Sequence, residues 1–397
     1  MKFRVEREVL ADAVAWVARG LPNRPPVPVL SGVLIEADRA GTVTLSAFDY
    51  EVSAKVTVAA DVDEGGTVLV TGRLLSEISR ALPARPVDVS TEGNKVTVTC
   101  GTSRFSLLMM QADDYPTLPA APQPSGTIAG DVFTQAVHQV AIAADRGDTL
   151  PILTGVRMQI EGDKVTLLAT DRYRLAMREL TWAPARSDAA YTALIPARTL
   201  SDTAKALGAA GSVELALGGN AGGDGLIGFE AGQRRATTRL LDGEYPKVTS
   251  IFPTSVDSEA VLETGALIEA VKRVALVAER NTPVRLRFTD GQVAIEAGTG
   301  DDAQASEAVE STLTGPDIEI AFNPHFLLDG LGVIGTPFTR FSFTQPSRPA
   351  VMAGQREATG EADTSYRYVL MPVRFASWGF TGGGAGMEPL MKPQQVV

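Results

Sequence analysis

A single cysteine, Cys100, and only two histidines, His138 and His325, stand in a chain of 397 residues. One thiol cannot close an internal disulfide, so the chain suits a reducing compartment. So little imidazole and thiol leaves almost nothing from which to build a zinc site or a catalytic histidine relay. No metal, no cofactor and no catalytic residue is therefore expected. Membrane-length apolar runs are missing too: the longest apolar stretch, residues 27–35, is interrupted by Pro28, Ser31 and Gly32. Met1, Lys2, Phe3, Arg4, Val5 and Glu6 alternate charge with apolar side chains, which is not a signal-peptide pattern. The expectation is a cytoplasmic, non-secreted protein. Apolar residues, by contrast, are ample at 44%, with 21% charged, which argues for several packed cores rather than disorder. Against 47 acidic residues stand 36 basic ones, a net charge of −11.

The chain repeats itself. Leu10, Val14 and Val17 recur in register as Phe133, Val137 and Val140, and again as Leu267, Val271 and Val274, each set at helical spacing. A second block follows in each repeat: Val70 to Leu75, Ile195 to Leu200 and Phe322 to Leu327. In each, a strand end turns into a helix through Thr71, Pro196 or Asn323, residues suited to a cap or first turn. Period-two stretches beginning at Val43, Val96, Val165, Val213 and Phe341 read as half-buried antiparallel strands. Asp114-Tyr115-Pro116 and Glu244-Tyr245-Pro246 close the first two repeats alike. The second block returns every ~125 residues, a length suited to an independent domain. Pro-rich connectors at 117–126 and 252–257 separate the repeats. The expected plan is α+β, with three tandem domains at 1–122, 127–252 and 257–375, each of two helices and antiparallel sheets. A glycine-rich, flexible tail at 376–397 would follow.

Motifs for chemistry are sparse. Residues 218–225 lack the Lys-Ser/Thr of a phosphate loop, and Gly298-Thr299-Gly300 lacks a third glycine before a helix, so both read as hairpin loops. Asp301-Asp302 and Asp113-Asp114 read as solvated loop charges. Asp49 and Asp171 occupy matching places in two repeats, which suits a turn cap better than a general base. His138 and His325 read as helix-surface residues. The helical segments carry nine bases (Arg19, Arg73, Arg80, Arg146, Arg198, Lys205, Lys272, Arg273, Arg280) against seven acids (Asp12, Glu77, Asp145, Asp202, Glu269, Glu279, Asp329). In an acidic chain, that tilt would give a basic lining if all the helices faced one way.

These residues carry a family resemblance. Met1 to Arg7, Asn23-Arg24-Pro25 and Ser103-Arg104-Phe105-Ser106-Leu107 occur in the first third. Leu153-Thr154-Gly155, Ala169-Thr170-Asp171-Arg172-Tyr173-Arg174-Leu175 and Leu241-Asp242-Gly243-Glu244-Tyr245-Pro246 follow. Ile320-Ala321-Phe322-Asn323 and Tyr368-Val369-Leu370-Met371-Pro372-Val373-Arg374 complete the set. In this order they resemble the bacterial sliding clamp, the β subunit of DNA polymerase III, over residues 1 to about 375. The resemblance implies a head-to-tail homodimer: a closed ring of six similar domains around duplex DNA, with helices lining the hole. It implies an accessory subunit of DNA-directed DNA polymerase that confers processivity and has no catalysis of its own.

The resemblance also implies sites. Arg24 is the loop arginine that touches DNA, and helix position adds Arg73, Arg146, Arg198, Lys205 and Lys272. Phe105 and Leu107 match the seam's edge-strand anchors, with Leu276 and Val277 at the facing helix end. An apolar groove for Leu/Phe-anchored peptides of polymerases, the clamp loader and repair proteins would have two sides. Leu153, Thr170, Arg172, Tyr173, Arg174, Leu175, Pro246 and Ile251 fall in one. Asn323, Phe326, Val351, Met371, Pro372, Val373 and Arg374 fall in or beside the other. Arg172 and Tyr173 replace a glycine and a histidine of familiar members, and the tail runs on past the family's usual end. The tail reads as a dispensable extension, with competition for peptides as the other reading. The alternatives in function are a duplicate clamp giving resistance to a groove-binding antibiotic peptide and, outside the family, a metal-dependent nuclease using Asp49 or Asp171.

Overall fold

The computed structural model describes residues 1–147, 149–218, 225–278, 282–298, 303–374 and 386–387. Among them, six α-helices occur as two per repeat: α1 (Arg7–Val17) and α2 (Gly72–Ala81), α3 (Gly130–Ala141) and α4 (Ala197–Leu207), α5 (Thr264–Val274) and α6 (Pro324–Ile334). Each follows the apolar spacing of its segment. Leu10, Ala13, Val14 and Val17 are buried along α1, and Leu267, Ala270, Val271 and Val274 along α5. Asn323 caps α6 as its sequence suggests, its side chain accepting from the amides of His325 and Phe326 at 2.9 and 3.3 Å. Gly335, at φ 73°, ends that helix in the left-handed conformation that glycine adopts without a Cβ clash. Thr71 departs from expectation: it precedes α2 without a side-chain cap bond. No helix among the described residues is long and apolar enough to cross a membrane.

The strands form three large antiparallel sheets, and the order within them shows how the repeats join. A five-stranded sheet of the first repeat ends at the edge strand Ser103–Leu108. A nine-stranded sheet runs through both the first and second repeats because Arg234–Arg239 pairs with Val52–Ala59, Thr237 opposite Ser53. A twelve-stranded sheet likewise runs through the second and third, where Arg174–Thr181 pairs with Ala362–Leu370, Leu175 opposite Val369. The middle repeat thus gives one sheet to each neighbour. Chain compactness follows the sheets: one unit holds residues 1–134, 182–191 and 199–240, the other 135–181, 192–198 and 241–397. The Pro-rich connector is shorter than its composition suggests, since Pro124–Ala129 already forms a strand paired with Ser212–Leu217.

Residues 218–225 do link a hairpin, Ser212–Leu217 with Leu226–Ala231, although 219–224 lie outside the described residues. Thr299, Gly300, Asp301 and Asp302 lie outside them as well. Asp113 and Asp114 sit in the short turn Ala112–Asp114.

The matched aspartates are turn caps. Asp49 Oδ1 accepts from the amides of Glu51 and Val52 at 2.9 and 2.6 Å. Asp171 Oδ1 accepts from those of Tyr173 and Arg174, both at 3.0 Å. The residue after each aspartate has positive φ, 76° at Tyr50 and 79° at Arg172, a strained state that the carboxylate bonds hold in place. The two closing tyrosines serve the same turns: Tyr115 Oη accepts from Phe48 N at 2.7 Å and Tyr245 Oη from Thr170 N at 2.9 Å. Burial pushes the Tyr115 hydroxyl up to about 12.

Asp49→Ala is expected to cost about 1–2 kcal/mol through loss of two amide acceptors, whereas Asp49→Asn, which keeps an oxygen there, costs less than half of that. Urea titration of both variants checks the order; an equal loss would count against the cap.

Candidate functional site

The twelve-stranded joint builds an apolar surface. Strand Lys164–Thr170 turns at Asp171 into Arg174–Thr181, which pairs with Ala362–Leu370. The chain leaving that last strand is held beside the turn, because Met371 N donates to Tyr173 O at 2.9 Å. Leu168, Leu175, Met177, Val248 and Val369 are buried together as a floor. Tyr245, Ile251, Phe252 and Val351 pack on it half-buried, leaving apolar area facing water. Arg367 lies 4.5 Å over the Phe252 ring and donates to Met177 Sδ at 3.9 Å, so its guanidinium walls one side.

Beside this floor lies a buried ionic cluster. Arg174, 3% exposed, donates from Nε to Asp171 Oδ2 at 2.8 Å and from Nη1 to Asp329 Oδ2 at 2.6 Å. Its Nη1 also reaches Tyr368 Oη at 3.4 Å, and its guanidinium stacks 4.4 Å over the Phe326 ring. Tyr368 Oη donates onward to Phe326 O at 2.9 Å. Phe326 in turn stacks on Tyr173, ring centres 6.4 Å apart. Burial opposes the charge on Arg174, but Tyr368, Asp171 and Asp329 outweigh it and raise its pKa, so the guanidinium stays charged. Burial raises the Asp171 carboxyl against the pull of Arg174 and two amides. The cluster fixes where Phe326 and Tyr173 stand.

The other expected groove residues take distinct places. Leu153 and Thr170 are fully buried, and Thr170 Oγ1 donates to Arg174 O at 2.6 Å, closing the turn. Leu175 is floor, Pro246 is buried, and Asn323 is spent on its cap. Arg172 lies 5.8 Å from the ring of Tyr173, with its Nε buried and unpaired. Met371 and Val373 are mostly buried along the rim, Pro372 between them, and Arg374 continues that backbone strand. Sequence reading missed Leu168, Met177, Val248, Phe252, Asp329, Arg367 and Val369. Strand alternation around Leu175 and Val369 carried the signal for some of them; the Asp329 pairing spans too many residues to carry any.

The nine-stranded joint repeats this backbone with other side chains. Strand register sets Ser46, Ser53, Lys55 and Thr237 where the groove has Leu168, Leu175, Met177 and Val369. Even the rim bond recurs, Arg239 N donating to Glu51 O at 2.9 Å as Met371 N does to Tyr173 O. There, however, Ser53 and Thr237 bond to each other through their hydroxyls at 2.6 Å, in place of the apolar contact of Leu175 with Val369.

The candidate basic residues are all exposed. Arg24 sits in the loop after α1, and Arg73 of α2 ties that loop down by donating to Asn23 O and Oδ1 at 3.3 and 3.2 Å. Arg146 follows α3, while Arg198 and Lys205 lie at opposite ends of α4. Lys272, at the end of α5, pairs with Glu269 at 2.9 Å, so part of its charge is answered locally. Among the described residues, Arg24, Arg146, Arg198 and Lys205 have no acidic partner.

At the expected seam, Phe105 is 37% exposed on its edge strand and Leu276 is 84% exposed on the turn after α5, beside half-exposed Val277. Leu107 corrects the reading: it is 3% exposed, opposite buried Val96 inside its own sheet, and has little left to offer a partner. Leu108, on the opposite face, is 63% exposed.

Comparison with known proteins matches three family models in order. These are the N-terminal, central and C-terminal domains of the DNA polymerase III beta subunit, at residues 1–119, 127–247 and 249–374. The chain is 58% identical to the beta sliding clamp of Streptomyces coelicolor over 95% of this chain and 100% of that one. It is 47% identical to the beta sliding clamp homolog GriR of Streptomyces muensis, over 94% and 100%. The crystal structure of the Pseudomonas aeruginosa sliding clamp bound to griselimycin is 29% identical, with TM-score 0.86 over 94% of this chain and 100% of that one.

Replacing Arg174 by methionine leaves Asp171 buried without its cation and is expected to cost about 3–5 kcal/mol. The melting temperature and amide exchange across residues 170–174 check it; unchanged protection there would count against the cluster as the groove's support.

Proposed function

The chain belongs to the DNA polymerase III beta subunit family, and from that premise we propose how its own residues perform the work of a DNA sliding clamp. It tethers polymerases to DNA through a peptide-binding groove and is an accessory subunit without catalysis. Three clamp domains matched in order along residues 1–374 carry this reading. The nuclease reading falls, since Asp49 and Asp171 are spent on turn amides. Identity of 58% to a beta sliding clamp over its whole length supports an ordinary clamp.

Two chains close head to tail into a ring around the duplex. Exposed Phe105 of one copy meets Leu276 and Val277 of the next, each large apolar side chain contributing about 1.5–3 kcal/mol when buried. Such a seam holds, yet can be opened by a loader. Inside, Arg24, Arg73, Arg146, Arg198 and Lys205, with Lys272 in support, meet phosphates without reading bases. Diffuse, water-screened contacts of this kind let the ring slide, and the net charge of −11 repels DNA elsewhere. Leu and Phe anchors of short peptides from replicative and repair polymerases and from the loader settle above the buried Leu175, Val248 and Val369, against the half-buried side chains packed on them. Ile251, Val351 and Met371 surround them.

Encirclement has a direct test. Labelled protein is loaded on nicked circular DNA with its clamp loader and ATP, washed in high salt, and the circle is then cut once. Retention through salt with rapid loss after cutting is expected, because salt screens phosphate contacts but does not break a topological link. Release by salt alone would overturn the ring.

Ile251→Ala with Met371→Ala should weaken a Leu/Phe-anchored peptide about 10–100-fold without disturbing the dimer; unchanged affinity by fluorescence anisotropy removes the groove assignment. Leu276→Lys should shift the protein to monomer in sedimentation velocity, and a persisting dimer would place the seam elsewhere.

A further inference from the structure

We propose that the C-terminal tail is a cis-acting occupant of the peptide groove, with Leu390 and Met391 as its anchors; this rests on the groove reading above. The carrying observation is a strand pair beyond the last family-matched residue. Gly386–Met387 pairs antiparallel with Val373–Arg374, Met387 opposite Val373 and Gly386 opposite Arg374. The tail therefore returns to the rim of the groove, along the segment that Met371 N fixes to Tyr173 O.

Direction and sequence do the rest. An antiparallel register continued past Met387 would lead toward Pro372 and Met371. No strand can go further along that path, because Leu370 is already paired on both sides, with Arg174 and with Ala350. A chain following this path would have to leave the sheet edge there. Pro389, which has no amide for a ladder, stands at that place in the sequence, and Leu390 and Met391 come directly after it. Residues 388–397 span up to ~33 Å when extended, enough to cross the groove mouth. Two adjacent apolar side chains suit a surface of half-buried Ile251, Phe252 and Val351 over that floor and can repack, as methionine does at surfaces with several partners. Tethering supplies an effective concentration near the millimolar range, so even weak contacts fill the groove part of the time. An incoming peptide must then displace the tail, and its apparent affinity falls by the fraction of grooves occupied. The tail thereby favours partners with strong anchors over weak ones.

The test uses one fluorescent peptide with Leu and Phe anchors and three proteins: the full chain, the chain ending at Phe375, and full-length Leu390→Ser/Met391→Ser. Truncation is expected to tighten binding about 3–10-fold, with the double variant recovering most of that gain and the dimer unchanged in all three. A synthetic peptide of residues 386–397 should displace the probe from the truncated protein at millimolar concentration. Equal affinity for all three proteins, or weaker binding after truncation, overturns the tail proposal and leaves the groove intact. Absence of binding to the truncated protein overturns the groove reading and this proposal together.

Discussion

Sharing of sheet edges between successive repeats is the constraint on which the molecule depends. A strand edge left bare exposes a row of amides and carbonyls, and successive repeats meet at such edges. Pairing Arg234–Arg239 with Val52–Ala59, and Arg174–Thr181 with Ala362–Leu370, covers an edge at each joint and welds neighbours into continuous sheets. The middle repeat is divided between two units as a consequence. Pairing Arg174–Thr181 with Ala362–Leu370 also brings Leu175 against Val369 and Arg174 within reach of Asp329 and Tyr368, so the groove is a by-product of covering an edge.

Two joints with one backbone plan have different chemistry, and four positions explain it. Ser46, Ser53, Lys55 and Thr237 occupy the places of Leu168, Leu175, Met177 and Val369. Buried hydroxyls satisfy each other, as Ser53 and Thr237 do, and then offer a ligand neither apolar area nor a free donor. Apolar residues at the same places bury together and support Ile251, Phe252 and Val351, whose remaining exposed area only another apolar group can cover. Both joints keep their turn caps and rim bonds, and the proposed peptide groove uses the apolar one.

A clamp has to hold DNA without gripping it. An acidic chain with a few unanswered exposed cations meets that demand, because the attraction is weak per contact, short in range and indifferent to sequence. The same logic applies at the groove, where the ionic cluster is buried and internally paired. Arg174 spends its charge on Asp171 and Asp329 and contributes rigidity to Tyr173 and Phe326, while apolar contact is left to do the binding.

Much of this was legible along the chain. Six helices followed from apolar spacing at positions such as Leu10, Val14 and Val17, and the repeat was visible because those registers recur. The turn role of Asp49 and Asp171 could be read from matched position alone. All of these are local: periodicity and capping depend on residues within a few places of one another. Tertiary structure decided what is non-local. Which edges pair, why Leu107 lies inside its sheet while Leu108 faces out, and why Asp329 of α6 answers Arg174 depend on elements brought together from distant parts of the chain. No spacing in the sequence records those meetings, because hydrogen-bonded edges and buried charges choose partners by geometry in space.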